Sequence, residues 1–178
     1  MIDVIRIKWP KLHRSLGKIY LLSCFLTSLG GLGFIFVKGT IGGLLMDLGF
    51  SIYGVTMLVC TFMTYQKARE KNFIAHRQWA LRLFSLAIAS WLYRMDYGLW
   101  ELLANLKGHT DDYRGSFDTL MNFFFFIPNL ILIECYIRIQ RNKENKLIKN
   151  IIYILGTILI LVVTYNFTIL YWWPGIMA

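Results

Sequence analysis

The chain has 178 residues, of which 57% are hydrophobic and 16% charged, against about 25% charged in an average soluble domain. Mean hydropathy is +0.52, and several apolar runs approach the ~20 residues that cross a bilayer core. The composition points to an integral membrane protein, and because the runs are continuous rather than alternating, it argues against a closed β-barrel. The net charge of +9 does not indicate nucleic acid, since the bases flank apolar runs as the positive-inside rule describes.

In chain order, residues 1–16 are a basic lead with Arg6, Lys8, Lys11, His13 and Arg14, and Pro10 interrupts any helix there. The first span is expected at 17–37. A basic start before an apolar run is also how a signal peptide begins, but this run is longer than an h-region and no A-x-A site follows. Gly30, Gly31 and Gly33 lack the preceding strand of a dinucleotide fingerprint, so they read as close helix packing or a kink. A short turn leads to span two, at 44–65, with Asp47 in its first turn. The loop after it is basic, with Lys67, Arg69, Lys71 and Arg77 against Glu70. Span three is expected at 78–100 and span four at 117–137, joined by a loop with Glu101, Asp111 and Asp112 against Lys107 and Arg114. A second basic loop, with Arg138, Arg141, Lys143, Lys146 and Lys149, precedes span five, at 148–173. Tyr171, Trp172 and Trp173 form an interfacial belt at its end.

Lys and Arg concentrate in the N-terminus, the loop between spans two and three, and the loop between spans four and five. Five spans with the N-terminus cytoplasmic and the C-terminus outside put all three segments on the inner side. The expectation is therefore an all-α, single-domain antiparallel bundle of five transmembrane helices over residues 1–178, in a bacterial inner membrane.

This topology fixes the depth of each polar residue. Arg82 and Glu134 lie at similar depth near the cytoplasmic side, so a buried pair is one reading and neutralisation of two costly charges is the plain one. Alanine at Arg82 and Glu134, alone and together, distinguishes them by non-additivity. His76 and Arg94 are about five turns apart and share a face of span three. Arg94 can pair with Asp47 or Asp118, or snorkel to the interface. Pro128 frees the Phe124 carbonyl and kinks span four. Asn122 and Asn129 share a face, for interhelical bonds or for a small polar group.

His13 and His76 begin parallel spans at similar depth, which allows a b-type haem between two imidazoles. Each is followed by arginine (Arg14 and Arg77), which suits haem propionates and lipid phosphates equally. His109 with Asp111 and Asp112 is a sparse metal set in an outer loop, where a lone His is ordinarily solvated. Cys24, Cys60 and Cys135 fall in different apolar runs, so they read as buried thiols rather than a disulfide framework. No H-E-x-x-H, G-x-S-x-G or P-loop is present.

The segments HRSLGKIY, AHRQWALR, the later Arg94 and PNLILIECYIR together resemble an uncharacterised family of small bacterial multi-pass membrane proteins, domain of unknown function 2306. The resemblance covers roughly residues 8–140 and marks His13, Arg14, Gly17, His76, Arg77, Trp79, Arg82, Arg94, Asn129 and Glu134 as family positions. Ala80 stands where members often carry Met. The resemblance implies one site or network on the cytoplasmic side and supplies no activity.

The resulting expectation is a multi-pass membrane protein with a polar network of His13, Arg14, His76, Arg77, Arg82, Arg94, Asn129 and Glu134. Its role is accessory, or the binding of a small or lipidic ligand, rather than enzymatic. The alternatives are electron transfer through a b-type haem on His13 and His76, and a small transporter gated outside by Arg94, Asp47 and Asp118. Membrane lipids are the expected partners, with no nucleic acid; ligand, protein partner and oligomeric state are not legible.

Overall fold

A helix in hydrocarbon must satisfy its own polar groups without water, which sets how the buried Ser and Thr hydroxyls of the first two helices are used. The computed structural model describes residues 8–141 and, further on, 156, 158, 162, 164–166 and 168–169. Its elements are α1 (Pro10–Lys38), α2 (Leu44–Arg69), α3 (Phe73–Ala104), α4 (Ser116–Phe124) and α5 (Ile127–Arg141). Every regular element among the described residues is helical. The span expected at 148–173 falls largely outside them.

Among the described residues three stretches are long and apolar enough to cross a membrane: Pro10–Lys38, Leu44–Arg69, and Ser116–Gln140, which joins α4 to α5. Helix α3 is longer, at 32 residues, but His76, Arg77, Arg82, Arg94, Asp96 and Glu101 make it less apolar. The chain forms two compact units, Met1–Ala87 and Ile88–Ala178, with the division inside α3.

In the first unit, α1 begins at Pro10, where a missing N–H costs nothing. The turn into α2 uses Gly39 and Gly43, both at positive φ, and is closed by Asp47, whose Oδ1 accepts the Thr40 N–H at 2.7 Å. Close approach of α1 and α2 falls at Gly54, where an added Cβ would stand 3.0 Å from the Leu32 side chain. At Gly30, Gly31 and Gly33 no described atom lies within 4 Å of the would-be Cβ. Buried hydroxyls bond back to their own helix: Ser28 to the Cys24 carbonyl at 2.8 Å, Thr61 to Met57 at 2.8 Å, Thr64 to Cys60 at 2.7 Å. At the far end Lys71 takes positive φ, and Asn72 caps α3 by accepting the Ala75 N–H at 3.1 Å. The first part of α3 runs antiparallel to α2, tied by Tyr53 to the Leu86 carbonyl at 2.8 Å. Met57, Cys60, Leu83 and Leu86 are buried there.

In the second unit, the rest of α3 packs antiparallel to α4. Trp100 stacks on Phe117, Tyr97 meets Phe117 edge-on, and Tyr93 meets Phe125 edge-on. The helix breaks at Phe125 and Phe126 and resumes at Ile127. Pro128 then lies in the first turn of α5, where its missing donor is tolerated. Asn129 Nδ2 donates to the Phe125 carbonyl at 2.7 Å, supplying a donor across the break. Cys135 lies on the surface of α5, unlike Cys24 and Cys60, so the expectation of three buried thiols holds for only two.

Candidate functional site

Helix capping and the α2–α3 turn position His76. Asn72 starts α3, and His76 sits one turn later, with its Nδ1 2.9 Å from the Thr64 carbonyl oxygen. A carbonyl oxygen can only accept, so this bond puts a proton on Nδ1 and turns Nε2 away from Thr64. The ring is part-buried. Arg82, farther along α3, lies over the Trp79 ring at 4.8 Å, a cation–π contact that holds the guanidinium against the helix. Arg77 is exposed.

His13 is part-buried in the first turn of α1, and Arg14 beside it is exposed. Because α2 runs antiparallel to both α1 and α3, the two histidines lie at the same end of the first unit. Glu70 in that end's turn bonds Lys67 at 2.7 Å, and this bond holds its carboxyl below the ordinary carboxylate value.

Arg94, Asn129 and Glu134, the other residues expected in the polar network, lie in the second unit. Arg94 is exposed on α3. Asn129 bridges the helix break. Glu134 accepts from Arg138 Nε at 3.4 Å, one turn along α5.

Sequence reasoning missed the polar cluster centred on Asp118. Its side chain is fully buried, with 0% exposure, yet its carboxylate accepts four hydrogen bonds. Oδ1 takes the Tyr97 hydroxyl at 2.7 Å and His109 Nδ1 at 2.7 Å. Oδ2 takes the backbone N–H groups of Thr110 and Gly115, each at 3.0 Å. Tyr93 extends the set by donating to Tyr97 at 3.2 Å. Edge-on contacts of Tyr97 with His109 and of His109 with Tyr113 wall the cluster with rings. The reading of His109 as a solvated loop residue is therefore corrected: its side chain is only 17% exposed, because the loop folds over the carboxylate. The four bonds to Asp118 come from Tyr97, His109, Thr110 and Gly115, not from Arg94 in the same unit.

The loop from Asn105 to Gly115 is closely fitted. Asn105, Leu106, Gly108 and Tyr113 all take positive φ. An added Cβ at Gly115 would stand 1.9 Å from the Gly108 carbonyl oxygen, so no larger residue fits this backbone. Trp100 Nε1 pins the loop by donating to the Lys107 carbonyl at 2.8 Å. Asp111 and Asp112 are exposed. Asp112 accepts from the Thr110 hydroxyl at 2.6 Å and the Arg114 N–H at 3.3 Å, and the Thr110 bond leads in holding its carboxyl below the ordinary value. Among the described residues no group of three or more His, Cys, Asp and Glu side chains is placed to hold a metal ion.

One signal in the sequence could have found the cluster. Asp118 is the third residue of α4, where a carboxylate bonds the free N–H groups at a helix start. Nothing in the spacing indicated that His109 and Tyr97 would share that carboxylate.

No curated protein and no solved structure matches this chain. A family model described as predicted membrane protein (DUF2306) matches residues 1–137 of the 178, and the chain therefore belongs to that uncharacterised membrane protein family.

Proposed function

We propose that the chain is a five-span helical protein of the bacterial inner membrane, N-terminus cytoplasmic and C-terminus outside, that binds a small polar or lipidic ligand near its cytoplasmic side. Support for the topology comes from the alternation of basic and weakly basic segments along the chain. The single observation that carries the binding reading is the His76–Thr64 bond, with its Nδ1 at 2.9 Å from a backbone carbonyl. A histidine fixed through one nitrogen presents the other in a set direction, which a merely interfacial side chain does not need. His13 lies at the same end, and Arg14, Arg77 and Arg82 supply positive charge for an anionic group. The immediate partners are membrane lipids, and the role is accessory rather than enzymatic.

The same observation favours a second reading, a b-type haem on His13 and His76. Histidines that ligate a metal commonly donate their other ring N–H to a backbone carbonyl, as His76 does. Purification in mild detergent after haem-sufficient expression tests both. A reduced α-band with stoichiometric iron, lost in His76→Ala, selects haem. A colourless, iron-free protein with a different extractable compound, also lost in His76→Ala, selects the ligand reading. An extract unchanged by the substitution contradicts both.

A further inference from the structure

We infer that one exposed stripe of α1, formed by Lys11, Arg14, Lys18, Leu22, Phe25 and Leu29, holds an anionic phospholipid, its phosphate on the three cations and an acyl chain along the three apolar side chains. This names the class of one lipid partner. It rests on reading α1 as a membrane span and does not depend on the His76 site.

The six residues follow one another at spacings of 3, 4, 4, 3 and 4, which keeps them on one face of a helix. Each of them is exposed. The cations occupy the first part of α1, and the apolar side chains continue the same line toward its middle. At about 1.5 Å per residue, Lys11 to Lys18 covers about 10 Å and Lys18 to Leu29 about 16 Å. The second distance is close to half of a hydrocarbon core about 30 Å thick, the depth of one leaflet. Trp9, exposed beside the first cation, is an interfacial side chain that sets this turn at the membrane surface.

Charge calls for an anion on that line. The start of a helix carries the positive end of its dipole, where cations are unfavourable. Helix α1 has Lys11 and Arg14 in its first two turns and no acidic residue in its first turn. Among the described residues no carboxylate pairs with Lys11, Arg14 or Lys18. Topology alone asks only that cations lie on the inner side, not that they share a face. Here they do share one, while Leu12, Leu16 and Ile19, exposed on another side of the same turns, come with no cation. A headgroup phosphate supplies the missing negative charge. The apolar line beyond the cations suits the chain attached to that phosphate, and a free anion has no use for it.

A lipid on an open stripe exchanges freely, so the full-length protein is first washed in detergent. It is then offered equal amounts of phosphatidylglycerol and phosphatidylcholine with the same acyl chains, and native mass spectrometry counts the adducts. The wild type should favour phosphatidylglycerol. Lys11→Gln/Lys18→Gln should lower that preference about fivefold for each lysine removed, the worth of a cation near an anionic surface. Arg69→Gln/Lys71→Gln, which removes two exposed cations at the same end of the first unit, should keep it. His76→Ala should keep it too, and Lys11→Gln/Lys18→Gln should leave any His76-dependent compound in place, so the two sites fail separately. Circular dichroism confirms that the variants are folded, and either single lysine variant suffices if the pair is not. Equal adducts of the two lipids on the wild type overturn the inference. So does a preference that Lys11→Gln/Lys18→Gln leaves unchanged, or that Arg69→Gln/Lys71→Gln lowers as much.

Discussion

Asp118 and His109 meet at 2.7 Å through a carboxylate that has no exposure to solvent. The contact joins the start of α4 to the loop before it and makes the carboxylate the organising group of that end of the second unit. Removing one member of a buried, hydrogen-bonded pair strands the other. Asp118→Ala should therefore destabilise the protein by about 3–5 kcal/mol, and His109→Ala by a smaller amount because three other donors remain. Thermal unfolding in one detergent ranks them. Equal and negligible shifts would mean that the cluster contributes nothing to stability.

Gly115 presents a steric test of the same loop. Its α-hydrogen faces the Gly108 carbonyl, where a methyl group has no room. Gly115→Ala should cost about 2–3 kcal/mol and shift the fluorescence of Trp100, which reports the loop through its bond to Lys107. Gly30→Ala, in open surroundings, should change stability little and serves as the matched control.

Loop stability also has an acid limit. The Asp112 carboxyl titrates below its ordinary value in the folded chain, chiefly through the Thr110 hydroxyl. A group with a lowered folded pKa contributes its stability fully above its unfolded value, about 3.9 for aspartate, and loses that contribution as pH falls through the lower folded value. Trp100 fluorescence should report loop loosening only below that ordinary value. Asp112→Ala should weaken the loop at neutral pH and remove this share of the acid dependence.

The break in the α4–α5 stretch makes a local prediction. Asn129 supplies a side-chain donor to the Phe125 carbonyl at 2.7 Å. Asn129→Leu removes that donor and should cost about 1–3 kcal/mol, the penalty of an unsatisfied buried group. A stability equal to wild type would show that the carbonyl finds another donor.

The topology is tested by labelling single cysteines introduced into a chain whose Cys24, Cys60 and Cys135 are replaced by alanine. A membrane-impermeant thiol reagent added to intact cells should label Asp111→Cys and not Lys71→Cys. The reverse pattern would invert the proposed orientation.

Much of the architecture was legible because hydrophobic length is a coarse signal that survives without tertiary detail. The runs that became α1 and α2 could be read directly, and so could the interruption at Pro128, since proline removes a helical donor wherever it stands. Burial was not legible. Gly30, Gly31 and Gly33 resemble packing glycines, yet the close contact falls at Gly54, because a glycine's use depends on the neighbouring helix. His109 read as solvated for the same reason: its partner Asp118 is nine residues away, across a loop whose course rests on positive-φ residues such as Leu106 and Tyr113. Nothing in those side chains announces that backbone. His76 was legible as a candidate, but its fixed orientation depends on the Thr64 carbonyl, a backbone group with no trace in residue identity.

The central claim, that the His76 end binds a small molecule, is tested most directly by native mass spectrometry of the detergent-released wild type and His76→Ala proteins. The account predicts a wild-type species heavier than the 20.9 kDa chain by one defined mass, with that species absent from a folded His76→Ala variant. A wild type found only at the bare chain mass, or the same adduct on both proteins, would contradict it.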